Sequence, residues 1–139
     1  MKKKTIVTTL LSVVIPIILG AVVYFCFRPD TYISHVAQNA GIPVINLGMS
    51  GSVIAKFLRN FFPDIAWAYA LPNALFLAFG GDRKKVVEIA AVTAIMIAVS
   101  EILQFCGIIS GTGDLVDIIL ELCSACMAIV LVRKRVMEE

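Results

Sequence analysis

The sequence predicts an all-α integral membrane protein, a four-helix bundle with an external, interfacial amphipathic helix. Three observations predict it. Hydrophobic residues make up 60% of the 139 residues and mean hydropathy is +0.94, more apolar surface than so small a chain can hide from water by folding on itself. That surface is gathered into four apolar runs, the second of them short beside the ~20 residues a hydrocarbon core requires. Charge is sorted by end. Lys2-Lys3-Lys4, Arg83-Lys84-Lys85 and Arg133-Lys134-Arg135 hold nine of the twelve basic residues and fall on one side when the runs cross a bilayer. The positive-inside rule makes that side cytoplasmic. The chain reads as one domain, 1–139, multi-pass in the cell membrane with both termini cytoplasmic, spans at about 5–27, 63–80, 86–107 and 114–132, and an external loop at 28–62.

The first span, Thr5 to Phe27, is too long for a secretory signal core and no small-x-small pattern follows, so it reads as an uncleaved anchor. Pro16 kinks it, which neighbouring helices tolerate in a membrane. In the external loop, Thr31 to Ala40 predicts a short helix stopped by Gly41 and Pro43. From Val53, the apolar residues Ile54, Phe57, Leu58 and Phe61 recur at helical spacing, with Ser52, Lys56, Arg59 and Asn60 opposite. This is an amphipathic helix, capped by Ser50 or Ser52, lying in the outer interface or over the top of the bundle.

The second span opens at Pro63, a favourable first helical position. Asp64 in its first turn suits the helix dipole, Trp67 and Tyr69 suit the interface, and Gly80-Gly81 stops it. Asn73 beside Pro72 reads as satisfying carbonyls freed by the kink. The third and fourth spans, joined by the tight polar turn Ser110-Gly111-Thr112-Gly113-Asp114, form an antiparallel hairpin. Glu88 reaches the inner interface near Lys84 and Lys85.

Chemistry concentrates at the outer end of this hairpin. Asp114, Asp117 and Glu121 follow i, i+3, i+7 spacing on one helix face, and Glu101 and Gln104 share a face of the preceding helix. Glu101 and Glu121 are about equally far from the turn, which places both roughly 10 Å below the outer end at ~1.5 Å rise per residue. Asp64 enters from the second span, just after Arg59 and Asn60. Ionisable groups at such depth are costly and face the bundle interior. Like charges in low dielectric do not all stay ionised, so the cluster holds a proton or a cation. For Asp114 alone, an N-cap role accounts for the residue. His35 reads as a solvated loop histidine. Cys26 and Cys106 both fall near outer helix ends, but spacing alone does not establish a disulfide. Cys123-x-x-Cys126, with no His nearby, reads as small residues for helix packing and gives no metal site. No catalytic residue, cofactor motif or phosphate-binding loop is visible, and the short basic clusters without interleaved aromatics exclude a nucleic-acid surface. Membrane lipids are the implied partners, and an oligomer is compatible with the pattern.

Ser100-Glu101-Ile102-Leu103-Gln104, followed by Gly111-Thr112-Gly113-Asp114-Leu115-Val116-Asp117, resembles the closing half of the VanZ-like membrane proteins, in which E-x-x-Q ends one span and D-x-x-D opens the next. Asn60-Phe61-Phe62-Pro63-Asp64 through Leu71 resembles the start of that family's second span. The likeness covers about residues 57–132. It departs where many members carry a His soon after the Asp of span two (here Trp67 and Ala68), an Arg in the turn (here Thr112 and Gly113), and an Asn four residues beyond the second Asp (here Glu121). The resemblance implies the bacterial cell envelope and teicoplanin-type glycopeptide resistance, and it names a setting rather than a reaction.

Three functions follow as expectations. The first is a non-enzymatic envelope protein whose outward acidic pocket (Glu101, Gln104, Asp114, Asp117, Glu121, Asp64, Arg59 and Asn60) binds a lipid-linked, cell-wall-related or glycopeptide-type amphiphile. Outer-half acids, Asp30 included, exceed the bases Arg28, Lys56 and Arg59, which favours a cationic ligand. The second is an intramembrane enzyme on envelope lipids or peptides, with paired carboxylates as acid and base or on a divalent metal; no dedicated nucleophile is marked for it. The third is a small proton-coupled transporter, for which four spans without an inverted repeat require a dimer.

Overall fold

The computed structural model describes residues 2–27, 32–41, 52–109 and 115–137, all helix and turn among those residues. Six helices follow in order: α1 (Lys3–Phe27), α2 (Tyr32–Asn39), α3 (Val53–Asn60), α4 (Phe62–Ala78), α5 (Val86–Phe105) and α6 (Leu115–Met137), with one 3-10 turn at Arg83–Lys85 before α5. Three of them, Lys3–Phe27, Val86–Phe105 and Leu115–Arg135, are long and apolar enough to cross a membrane. This is the architecture of a membrane protein.

The helix ends follow local chemistry. Ser52 caps α3, accepting a 3.2 Å hydrogen bond from the Ala55 N–H. Of the two serines the sequence offered, Ser50 lies outside the described residues. α4 closes in a Schellman turn: the Gly81 N–H donates to Phe76 O and the Gly80 N–H to Leu77 O, with both glycines left-handed at φ +74° and +69°. α5 ends the same way, two residues earlier than its predicted limit. Ile108 N–H reaches Leu103 O and Gly107 N–H reaches Gln104 O, with Gly107 at φ +70°.

α4 is the axis of the fold. Its 17 residues span about 26 Å, somewhat less than the ~30 Å of a hydrocarbon core. It is nonetheless the helix against which α1, α5 and α6 all pack. Two faces divide the work. Ala68 meets Ile97 and Ala125 in one buried cluster, and Phe76 meets Ile89 and Val132 in another. On its other side, Pro63 and Ala66 meet Gly20 of α1, where an added Cβ would stand 3.1 Å from the Ala66 Cβ. α1 buries only Thr5, Thr9 and Gly20, a narrow strip of small and polar residues, and turns Leu, Ile and Val side chains outward. Small residues permit the close approach on which helix association in lipid depends.

These contacts make α1 antiparallel to α4, and α5 antiparallel to α4 and α6. The start of α1, the α4–α5 link and the end of α6, each carrying a basic triplet, therefore share one end of the molecule. Near that end, Lys85 Nζ forms an ion pair with Glu88 at 2.8 Å, the partner predicted for Glu88 beside the inner lysines. This hydrogen bond, together with the Glu88 charge, raises the Lys85 pKa above the ordinary lysine value.

α3 packs over one end of the bundle. Ala55 is buried, with α3 against α1 and α4, while Val53 and Ile54 remain 81% and 73% exposed. An apolar edge is thus directed away from the bundle. The Phe57 and Phe61 rings meet in a tilted arrangement, centroids 5.6 Å apart, at the α3–α4 junction.

Candidate functional site

The buried stripe of α5 runs Ile89, Thr93, Ile97, Glu101, one residue every four, so the same face that packs the core carries a carboxylate into its C-terminal end. On α6, Asp117, Glu121, Ser124, Ala125, Ala128 and Val132 are buried in the same way. Exposure falls to 4% for Glu101, 5% for Asp117 and 0% for Glu121. Ser124 fixes the depth: its Oγ donates a 2.8 Å hydrogen bond to Ile65 O, which docks α6 against the first turn of α4. Glu121, one turn further out, thereby comes level with Asp64.

Three helices thus deliver carboxylates to one place. The charges acting on Glu121 are those of Glu101, Asp64 and Asp117, and the Trp67 side chain lies beside it. Both Glu121 oxygens are buried, and Trp67 is the side chain placed to hydrogen-bond them. Among the described residues, no group of three or more His, Cys, Asp or Glu is arranged to hold a metal ion. The arrangement suits a neutralising proton or an ammonium group, which needs acceptor oxygens but no fixed coordination polyhedron.

The remaining predicted residues are placed more loosely. Gln104 is half-buried one turn beyond Glu101. Arg59 is half-buried on α3 and donates from Nε to Asn60 Oδ1 at 3.1 Å, with Asn60 itself exposed. Asp114 lies outside the described residues, as do Arg28 and Asp30. Asn73 is fully buried and its Nδ2 donates to Tyr69 O at 2.8 Å, whereas the carbonyl that Pro72 leaves without a helical donor is that of Ala68, so this bond does not fill the expected kink-satisfying role. His35 is exposed on α2. All four cysteines are free.

The packing reading of the Cys-x-x-Cys pair is corrected by the structure. Cys123 and Cys126 are exposed, and it is Ser124, Ala125 and Ala128 that enter the interface. The 3.6-residue period allows only one of these sets to face α4, and the Ser124 bond selects it. Trp67, read as an interface aromatic, instead stands next to the carboxylates. Its i+3 spacing from Asp64 was the signal that both occupy one face.

Two apolar grooves flank the cluster. One, of about 550 Å³, lies between α5 and α6 and includes Glu101 in its wall. The other, of about 520 Å³, lies between α1 and α4 and includes Trp67. Compared with known proteins, the chain matches no family model, no curated protein and no solved structure.

Proposed function

We propose that the protein is a four-span envelope membrane protein that binds the cationic group of an amphiphile in its outer acidic pocket. α4 is the fourth span, its shortness made good by the basic and amphipathic segments that adjoin its ends. The basic triplets at one end of the bundle assign that end to the cytoplasm and the carboxylates to the external half. The observation that carries the reading is the convergence of Glu101, Asp117 and Glu121, all nearly inaccessible, with Asp64 beside them. A single polar pair is enough to hold a helical hairpin together. Several acids at one depth carry a cost that binding a cation offsets.

The VanZ-like pattern of Glu101-x-x-Gln104 and Asp114-x-x-Asp117 supports an envelope setting and a lipid-linked, cell-wall-related or glycopeptide-type ligand. The Asn60–Leu71 segment supports it further. The acidic surplus selects the charge of the group bound, and the amphipathic helix α3, with Arg59 and Lys56, guides the ligand in.

The test is the double substitution Glu101→Gln with Asp117→Asn. Membrane insertion and helicity should persist, while binding of amine-bearing envelope amphiphiles, and any glycopeptide tolerance conferred on a host, should be lost. Undiminished binding in the double variant rejects the pocket. Labelling of cysteines placed at Ser52 and Met137 from each side of the membrane tests the orientation; Ser52 should react from outside and Met137 from inside.

A further inference from the structure

The groove between α5 and α6 reaches Glu101 from the side of the bundle, and its chemistry names a ligand. α5 contributes Ala94, Ala98 and Phe105 to its wall, α6 contributes Ile118 and Leu122, and Glu101 brings the carboxylate. The two alanines create the space, because each leaves a gap where a larger side chain would close α5 onto α6. Ala94 and Ala98 are exposed at the molecule's surface, on membrane-spanning lengths of helix, so the groove opens sideways toward acyl chains rather than upward toward water. Its wall includes Glu101, whose charge acts on the fully buried Glu121.

We propose that the groove admits a single-chain primary amine amphiphile laterally from the bilayer, its ammonium passing Glu101 to lie among the carboxylates and its alkyl chain lying along Ala94 and Ala98. This rests on the acidic-pocket reading and adds the route and the ligand class. Charge complementarity selects the head group. An ammonium offers three donors to acceptor-only carboxylates, whereas a phosphate-bearing lipid head would bring negative charge against four acids. Volume admits one chain. A groove of about 550 Å³ lies within the ~300–1,000 Å³ range of small-molecule sites and holds roughly 18 groups of water or methylene size at ~30 Å³ each. That accommodates one chain of a dozen or more carbons.

The chain's only tryptophan, Trp67, stands beside Glu121 and reports occupancy. The full-length protein in nanodiscs of zwitterionic lipid is titrated with dodecylamine, butylamine and dodecanol while Trp67 emission is followed, with concentrations expressed per lipid to remove partitioning. Dodecylamine should shift the emission saturably and dodecanol should not. Ala98→Leu, an exposed position outside the acidic cluster, should weaken dodecylamine about tenfold, equivalent to ~1.4 kcal/mol, and leave butylamine unchanged. Glu101→Gln should abolish both amine responses.

If butylamine and dodecylamine bind alike and Ala98→Leu alters neither, the lateral route is overturned while the acidic pocket stands. If dodecanol binds as well as dodecylamine, the charge argument falls. If no amine binds the wild-type protein, the route and the pocket fall together. Circular dichroism of each variant confirms that helicity is retained.

Discussion

Glu121→Met distinguishes a binding pocket from structural glue in one substitution. The glutamate is fully buried, has the Trp67 side chain as its hydrogen-bonding neighbour, and is acted on by three other carboxylates. Methionine has nearly the same length and volume, so repacking should cost less than about 1.5 kcal/mol. What it removes is larger: exchanging buried ionic groups for apolar residues of similar size commonly stabilises by about 1–4 kcal/mol. The net expectation is a gain of about 1–3 kcal/mol in stability together with complete loss of amine binding. Equilibrium unfolding by dodecyl sulfate titration in mixed micelles, followed by helical circular dichroism, measures the first, and the Trp67 titration measures the second. A loss of stability greater than about 1 kcal/mol would refute the reasoning, because it would mean that the native fold satisfies this carboxylate and depends on it.

Other expectations follow from particular contacts. At Gly20 an added methyl would stand 3.1 Å from Ala66 Cβ, so Gly20→Ala should be nearly tolerated, and more so in an Ala66→Gly background. Gly20→Leu should cost about 1–3 kcal/mol by parting α1 from α4, read by unfolding and by loss of cross-linking between the two helices. Ser124→Ala removes the 2.8 Å bond to Ile65 O and should cost about 0.6 kcal/mol, the average for such bonds between membrane helices, in the same unfolding assay. The Lys85–Glu88 pair raises the Lys85 pKa above 10.5. A value higher in the folded than in the unfolded state means that the pair's contribution is complete below about pH 10.5 and is lost as pH rises through the raised value. Glu88→Gln should return Lys85 to the ordinary value in an NMR titration and, the pair being exposed, leave the unfolding midpoint unmoved.

Much of the site was legible because helical spacing is rigid. Glu101 on the stripe of Ile89, Thr93 and Ile97, and Asp117 with Glu121, needed only the 3.6-residue period to be placed on inward faces. The two faces of α4 were not legible. Nearly every residue there is apolar, so periodicity has no contrast to read, and Trp67 went to the interface on residue type alone. Cys123 and Cys126 failed for the same reason: small residues surround the α6 axis, and composition does not say which of them face a neighbour.

The sequence by itself determined the helices, their ends at Gly80-Gly81 and Gly107, the sorting of basic triplets to one end, and the inward direction of the carboxylates on α5 and α6. These depend on local geometry and on the transfer cost of charge, both carried by residues close together in the chain. Only the tertiary structure decided that the short α4 is the central helix, that Trp67 joins the acidic cluster, and that Ala94 and Ala98 open a groove onto Glu101. Those outcomes depend on how closely helix axes approach one another, and that distance is set by pairs such as Gly20 with Ala66 and Ser124 with Ile65, whose members lie far apart in sequence and meet only when the bundle is packed.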